Sequence, residues 1–297
     1  MRKVFAGLVL LVLVAGGIGF GVYRAQQDSA SPAPSPVALP PASGKYVALG
    51  DSYTSSPRTG ALVGTPPGCD RSDNNYPRLV AAQLRVAEFT DVSCSGATTA
   101  NITGTQQTAN GTNQPQLDSL DDATTLVTLG IGGNDVGFIG LAHDCLTQDP
   151  AVSPCKAKMA SGGRDELAAR ITATTPKIDR VLTEIHERAP KAKIVVVGYP
   201  SALPDGGGCW PFLPLGTADV AYLRDAAAKF NDMLAAQAKA HGAHYADTAT
   251  PSKGHDMCQK AATKWVEDLV PSSPALSLHP NANGERAMAD AVTSAAS

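Results

Sequence analysis

From residue 45 onward the chain alternates short, nearly uninterrupted apolar runs with longer stretches in which apolar residues recur every three or four positions. The short runs predict strands at Tyr46–Leu49, Glu88–Val92, Thr125–Leu129, Lys193–Val197 and His244–Ala246. The third and fourth (Thr-Leu-Val-Thr-Leu and Lys-Ile-Val-Val-Val) lack the polar alternation of a half-exposed strand, so they are expected to be covered on both faces. The helical spacing predicts Tyr76–Leu84, with Leu79, Val80 and Leu84 on one face, and Leu167–Glu187, with Ile171, Ile178, Val181, Leu182 and Ile185. It also predicts Ala218–Ala240, carrying Leu223, Ala227, Phe230 and Leu234 and ending at a His241-Gly242 C-cap signal, and a last helix at Gly284–Ala295. Segments 104–122, 143–165 and 204–216 read as loops. Alternating strands and helices imply a parallel α/β sheet with right-handed crossovers, and ligand sites in such sheets lie beyond the carboxyl ends of the strands.

The first 44 residues follow another pattern. Met1-Arg2-Lys3 precedes an uncharged run from Val4 to Tyr23, 20 residues that would span about 30 Å as a helix. That length and the absence of a clean Ala-x-Ala favour an uncleaved signal anchor over residues 1–27, with a cleaved signal as the alternative. Arg2 and Lys3 outweigh Arg24, which places the N-terminus in the cytoplasm and the remaining chain outside. Residues 28–44 are rich in Pro, Ser and Ala and predict a semi-rigid stalk. Residues 45–297 are long enough for one domain with a sizeable core. The net charge of −3 gives no reason to expect nucleic acid as a partner. The expected protein is monomeric and extracytoplasmic, anchored to the membrane by its N-terminal helix or secreted after cleavage.

Six cysteines, all within residues 45–297, follow the export signal: Cys69, Cys94, Cys145, Cys155, Cys209 and Cys258. An even count in an exported domain favours three disulfides, for which 15 pairings are possible. No Cys-x-x-Cys or clustered Cys/His spacing supports zinc, so no metal is expected.

Candidate chemistry sits at the ends of the apolar runs. Tyr46-Val47-Ala48-Leu49 stops at Gly50-Asp51-Ser52, a strand followed by a turn serine that needs a base and an oxyanion acceptor to act as a nucleophile. Ser95-Gly96-Ala97-Thr98-Thr99 follows the second predicted strand, Gly130-Ile131-Gly132-Gly133-Asn134-Asp135 follows the third, and His279-Pro280-Asn281 lies near the C-terminus. Taken singly, Ser52 could be a helix-capping serine, Gly96 a turn glycine beside a cysteine, and Asn134 a common loop residue.

In this order the four motifs resemble the SGNH hydrolases, or GDSL esterases and lipases, most closely their secreted actinobacterial lipase and phospholipase branch. The resemblance covers roughly residues 45–297. It implies a three-layer α/β/α sandwich around a mostly parallel five-stranded sheet, of the flavodoxin-like SGNH type. It implies Ser52 as nucleophile, His279 as general base and then acid, and an oxyanion hole of the Ser52 N–H, the Gly96 N–H and the Asn134 amide. Asp51 would shape the turn. It also implies sequential disulfides: Cys69 with Cys94, Cys145 with Cys155, Cys209 with Cys258.

The chain departs from the commonest family pattern in having Leu276 where an aspartate would stand three residues before His279. Some secreted actinobacterial members work as a Ser–His dyad with a main-chain carbonyl in place of the acid, and by position that carbonyl is Ser277's. Asp256, Glu267 and Asp268 are the alternative partners for His279. His143, His186, His241, His244 and His255 lack the His-Pro-Asn setting and read as surface or structural.

The loop Cys209-Trp210-Pro211-Phe212-Leu213-Pro214-Leu215 is too proline-rich for a helix or central strand. It reads either as a satellite core or as an apolar wall for an acyl chain, with Trp210, Phe212, Leu213 and Phe138 as the pocket candidates and Ile139 and Leu141 beside them. The expected substrate is a lipid or other acyl ester, hydrolysed through an acyl-serine with no cofactor. A cell-envelope carbohydrate O-acyl esterase or acyltransferase would use the same residues; a catalytically dead binding module on a stalk is the non-enzymatic alternative.

Overall fold

The computed structural model describes residues 43–297. The predicted anchor and nearly all of the predicted stalk lie outside the described residues. Among the described residues no helix is long and apolar enough to cross a membrane.

In chain order the elements are β1 (Lys45–Gly50), α1 (Ser52–Ser55), α2 (Tyr76–Leu84), β2 (Glu88–Asp91), α3 (Thr99–Thr103), β3 (Gln106–Thr108), β4 (Gly111–Asn113), β5 (Thr124–Gly130), α4 (Gly133–Val136), α5 (Phe138–Asp144), α6 (Pro154–Met159), α7 (Glu166–Arg188), β6 (Lys193–Val197), α8 (Thr217–Ala240), β7 (His244–Ala246) and α9 (Ala282–Ala296). Five strands form one sheet in the order β2-β1-β5-β6-β7. Every pairing in it is parallel.

Period-two alternation sorts the strand side chains into two cores. Val47, Leu49, Val127, Leu129, Ile194 and Val196 face Ile178, Leu182 and Ile185 of α7 and Phe230 and Leu234 of α8. Tyr46, Ala48, Leu126, Val195 and Val197 face Tyr76 and Val80 of α2 and Met288, Ala289 and Val292 of α9. Both faces of the central strands are therefore dry, which is why their sequences read as continuous apolar runs. The three-layer α/β/α sandwich and its five-stranded sheet agree with expectation.

Two segments read as loops contain regular structure. Residues 104–122 hold the β3–β4 hairpin, turned at Ala109-Asn110 and opened by Gly111 at φ +114°. Residues 143–165 hold α6, whose six residues are too few to show a helical period. Its first turn is fixed instead by Pro154 at the N-terminus and by Asp219, which accepts the N–H groups of Cys155 (3.1 Å) and Lys156 (2.7 Å).

Three disulfides pin the loops around the carboxyl edge of the sheet: Cys69–Cys94, Cys145–Cys155 and Cys209–Cys258. Cys145, Cys155 and Asp219 bring potential metal-ligand atoms within 4.8 Å of one another. The thiols are spent in a disulfide and the carboxylate in the α6 cap, so this cluster is structural.

Candidate active site

β1 runs out at Gly50, and the next residues are locked from three sides. The Asp51 N–H donates to Gly130 O at the end of β5 (3.0 Å), the Cys94 N–H donates to Gly50 O (3.0 Å), and the Gln116 side-chain amide meets both the N–H (2.7 Å) and the carbonyl (2.9 Å) of Gly50. The chain then turns sharply into α1, where the Asp51 carboxylate caps the Tyr53 N–H at 2.9 Å. Ser52 thus opens a helix at the carboxyl end of a central strand, 5 % exposed, with its hydroxyl facing a cavity.

His279 reaches Ser52 from a long excursion after β7. Its Nε2 lies 2.7 Å from Ser52 Oγ, and its Nδ1 lies 2.7 Å from the carbonyl oxygen of Ser277. A carbonyl can only accept, so Nδ1 carries the ring proton and the Nε2 lone pair faces the serine hydroxyl. The ring is positioned from several directions. The His279 carbonyl accepts the Glu267 N–H (2.9 Å), and the Tyr53 ring packs at a tilt against the imidazole, centroids 4.9 Å apart, while its hydroxyl donates to Leu278 O at 2.6 Å. Leu278 sits at φ +64°, an αL conformation that costs an L-residue roughly 1 kcal/mol and turns the chain so that the imidazole points inward. Burial pushes the His279 imidazole down to about 4, against a smaller upward pull from its bond to the Ser277 carbonyl.

The three carboxylates that could have replaced that carbonyl are engaged elsewhere. Asp256 accepts from Cys258 N and Gln259 Nε2. Glu267 accepts from Ser272 and from Asn281 Nδ2. Asp268 pairs with Lys264 at 2.6 Å.

Asn134 stands in the first turn of α4, just past β5. Gly132 takes φ +109°, which a side chain would resist, and Asn134 Nδ2 donates one bond to Ala97 O (2.8 Å) in the Gly96 loop. That loop is tied to the nucleophile turn by the Cys94–Gly50 bond and to α4 by Asp135, which receives Thr99 N (2.8 Å) and Oγ1 (2.7 Å). Among the described residues the backbone N–H groups of Ser52 and Gly96 meet no acceptor.

The cavity beside Ser52 has a volume of about 440 Å³ and walls that include Asn134, Phe138, Ile139, Leu213 and Phe230. Phe138 and Leu213 therefore stand where the sequence places an acyl pocket. Trp210 and Phe212 do not. The N–H groups of Phe212 and Leu213 both turn back to Cys209 O (2.9 and 3.4 Å), a tight turn that sends Leu213 inward and leaves Phe212 79 % and Trp210 43 % exposed. Leu141 is also absent from the wall, because it points into the core.

The other histidines are occupied away from this site. His186 and His241 are joined through a ring-to-carbonyl bond, and His255 stacks on Trp265 at 3.9 Å. His143 and His244 are exposed.

Two residues missed from sequence are Tyr53 and Tyr199. The hydroxyl of Tyr199 donates to Asp51 and accepts the N–H of Gly133 (3.1 Å). The available signal was position: Tyr199 follows β6 at the same carboxyl edge as Ser52 and Asn134.

Comparison with known proteins gives the same answer as this geometry. The family model for the GDSL-like lipase/acylhydrolase family matches residues 48–287. The chain is 39 % identical to lipase 2 of Streptomyces coelicolor over 254 residues, 82 % of this chain and 83 % of that protein. It is 35 % identical to a lipase of Streptomyces rimosus, covering 81 % and 82 %. Among solved structures it superposes on phospholipase A1 from Streptomyces albidoflavus NA297 with a TM-score of 0.73 at 31 % identity, covering 86 % of this chain and all of that one. The extracellular lipase of Streptomyces rimosus gives a TM-score of 0.72 at 32 % identity, covering 85 % and 100 %. The chain belongs to the GDSL-like lipase/acylhydrolase family of carboxylic-ester hydrolases.

Proposed function

We propose that this protein is an extracytoplasmic serine lipase or esterase that cleaves lipid acyl esters with a Ser52–His279 dyad. The observation that carries this reading is the line from the Ser277 carbonyl through both nitrogens of His279 to Ser52 Oγ, 2.7 Å at each end.

Ser52 Oγ attacks the ester carbonyl as its proton passes to His279 Nε2. The oxyanion is received by the N–H groups of Ser52 and Gly96 and by the free amide hydrogen of Asn134. Collapse of this intermediate expels the alcohol, which takes the proton from Nε2 and leaves an acyl-serine. Water, deprotonated by His279, attacks the acyl carbon and releases the acid and the free serine. A neutral imidazole is needed at the start of each half-reaction, and burial supplies it at pH 7. The Ser277 carbonyl dipole supports the transient imidazolium in place of a carboxylate.

The apolar walls at Phe138, Ile139 and Leu213 suit the acyl chain. Three disulfides fit an oxidising compartment. Residues 1–27 then serve as anchor or export signal, 28–44 as a stalk, and 45–297 as a monomeric hydrolase domain.

The test is hydrolysis of p-nitrophenyl esters from acetate to palmitate, with Ser52→Ala alongside. The expected result is a rate that rises beyond acetate and is abolished in the variant. Activity confined to acetate would replace lipid by carbohydrate O-acetyl esters, and no activity at any length from disulfide-bonded protein would overturn the esterase reading.

A further inference from the structure

We infer that Tyr199 is a positioning residue for ester hydrolysis: its hydroxyl clamps the nucleophile turn to the turn that carries Asn134. The inference rests on the reaction proposed above and adds a group that it does not name. One oxygen serves both turns. It donates to Asp51, the residue before Ser52, and accepts the N–H of Gly133, the residue before Asn134, at 3.1 Å.

Tyr199 is itself held on every side. The Asn231 side chain pairs with its backbone, Oδ1 receiving the Tyr199 N–H at 2.9 Å and Nδ2 donating to its carbonyl at 2.8 Å. Its ring lies 5.5 Å from Phe230 and 5.1 Å from Tyr53, and Tyr53 in turn packs at a tilt against His279. The hydroxyl thus sets the spacing between the nucleophile turn and the oxyanion donor, whereas the base is reached only through ring packing that a phenylalanine keeps.

The sequence at residue 133 is adapted to this contact. A Cβ there would lie 3.0 Å from Tyr199 Cε1 and 3.1 Å from its hydroxyl oxygen, so a side chain would push the phenol away from its present position by a few tenths of an ångström. Burial pushes the Asp51 carboxyl up to about 7, and the Tyr199 hydroxyl is the strongest contact pulling it back, so the bond also favours the charged form of Asp51. Catalysis is sensitive to such spacing, since a misplacement of about 1 Å can cost on the order of 100-fold in rate.

The experiment is a double-mutant cycle on p-nitrophenyl butyrate hydrolysis with wild type, Tyr199→Phe, Asn134→Ala and the pair. Tyr199→Phe keeps the ring and its packing. It is expected to lower kcat by about 10- to 100-fold with KM changed by no more than about threefold. In the Asn134→Ala background, where no amide remains to be aimed, the same change is expected to cost less than about threefold. An unchanged kcat in Tyr199→Phe, or an equal factor in both backgrounds, overturns the inference.

If near-ultraviolet circular dichroism shows Tyr199→Phe to be misfolded, Gly133→Ala asks the same question from the other side of the bond. A similar kcat loss that vanishes without Asn134 supports the clamp, and wild-type kcat refutes it. Wild-type protein that leaves the ester intact sinks the proposed function itself; an active wild type beside an equally active Tyr199→Phe sinks only the clamp.

Discussion

The Nδ1 atom of His279 lies 2.7 Å from the carbonyl oxygen of Ser277, two residues earlier in the same strand of chain. The group that orients the base is therefore peptide backbone and is independent of the side chain at 277. The Ser277 hydroxyl is spent on Leu269 O at 3.0 Å. Ser277→Ala should keep kcat within about threefold of wild type and cost about 1 kcal/mol of stability for that one hydrogen bond. Ester kinetics and urea unfolding on the same sample check both halves. A kcat loss of tenfold or more would mean that the side chain, and not the carbonyl, aligns the imidazole.

Burial sets the pH range over which His279 can act. With the folded imidazole pushed down to about 4 from an ordinary 6.5, the acid limb of kcat/KM should fall near pH 4 and not near 6.5. The same shift has a cost in stability. Between about pH 4 and 6.5 the unfolded chain binds a proton at this residue that the folded chain refuses, so stability rises with pH across that window. A difference of roughly 2.5 pH units corresponds to about 3 kcal/mol. His279→Gln should lose this component, so the stability of wild type relative to the variant, read from urea unfolding, should rise as pH goes from 4.5 to 7, the buried carboxyls contributing equally to both proteins. An acid limb near 6.5 would contradict the buried, neutral imidazole.

Glu285 shows the opposite sign. Its carboxylate is fully buried, receives the Tyr76 N–H at 2.6 Å, and is pushed up to about 8 mainly by loss of water. The folded protein holds this proton up to about pH 8, whereas the unfolded chain releases it near 4.5, so the contribution of Glu285 to stability is lost as pH rises through that interval. Glu285→Gln keeps the acceptor for Tyr76 and removes the titration. The variant should match wild type near pH 5 and exceed it by on the order of a few kcal/mol at pH 9, read from urea unfolding at the two pH values. A constant difference at both would show that Glu285 stays ionised in the fold.

The legible parts of this chain are those where one physical requirement dominates several residues in a row. A strand dry on both faces must be apolar almost throughout, so Lys193–Val197 is read to the residue; the long helices α7 and α8 are read to within one, and the edge strand His244–Ala246 is placed by the C-cap signal just before it. Ser52 and Asn134 were visible because each follows an apolar strand that ends in a turn motif, and His279 because of its His-Pro-Asn setting. The β3–β4 hairpin was not, since its six strand residues, Gln106–Thr108 and Gly111–Asn113, are polar and its Asn110-Gly111 turn signal had no apolar flanks. Trp210 and Phe212 were assigned to the pocket because composition reports apolarity but not direction. Only the turn back to Cys209 O decides which face each side chain takes. Tyr53 and Tyr199 act through hydroxyls placed by contacts 225 and 148 residues away in sequence, which no local pattern encodes.

That division of the Cys209–Leu215 loop into an inward and an outward face makes substrate length testable. Ala202 lines the cavity, and its carbonyl already anchors the Met257 N–H at 3.0 Å, so a larger side chain there has to take its volume from the cavity. Ala202→Phe should shorten the space open to the acyl chain and lower kcat/KM for p-nitrophenyl decanoate by about tenfold or more while leaving acetate within about threefold, since a single methylene in such a pocket is worth roughly 1–3 kcal/mol of discrimination. Phe212→Ala, which removes an exposed ring from the same loop, should leave both esters unchanged when they are offered as monomers. If the exposed Phe212 governs decanoate turnover and Ala202→Phe does not, the acyl chain runs over the outer face of the loop and not through the cavity.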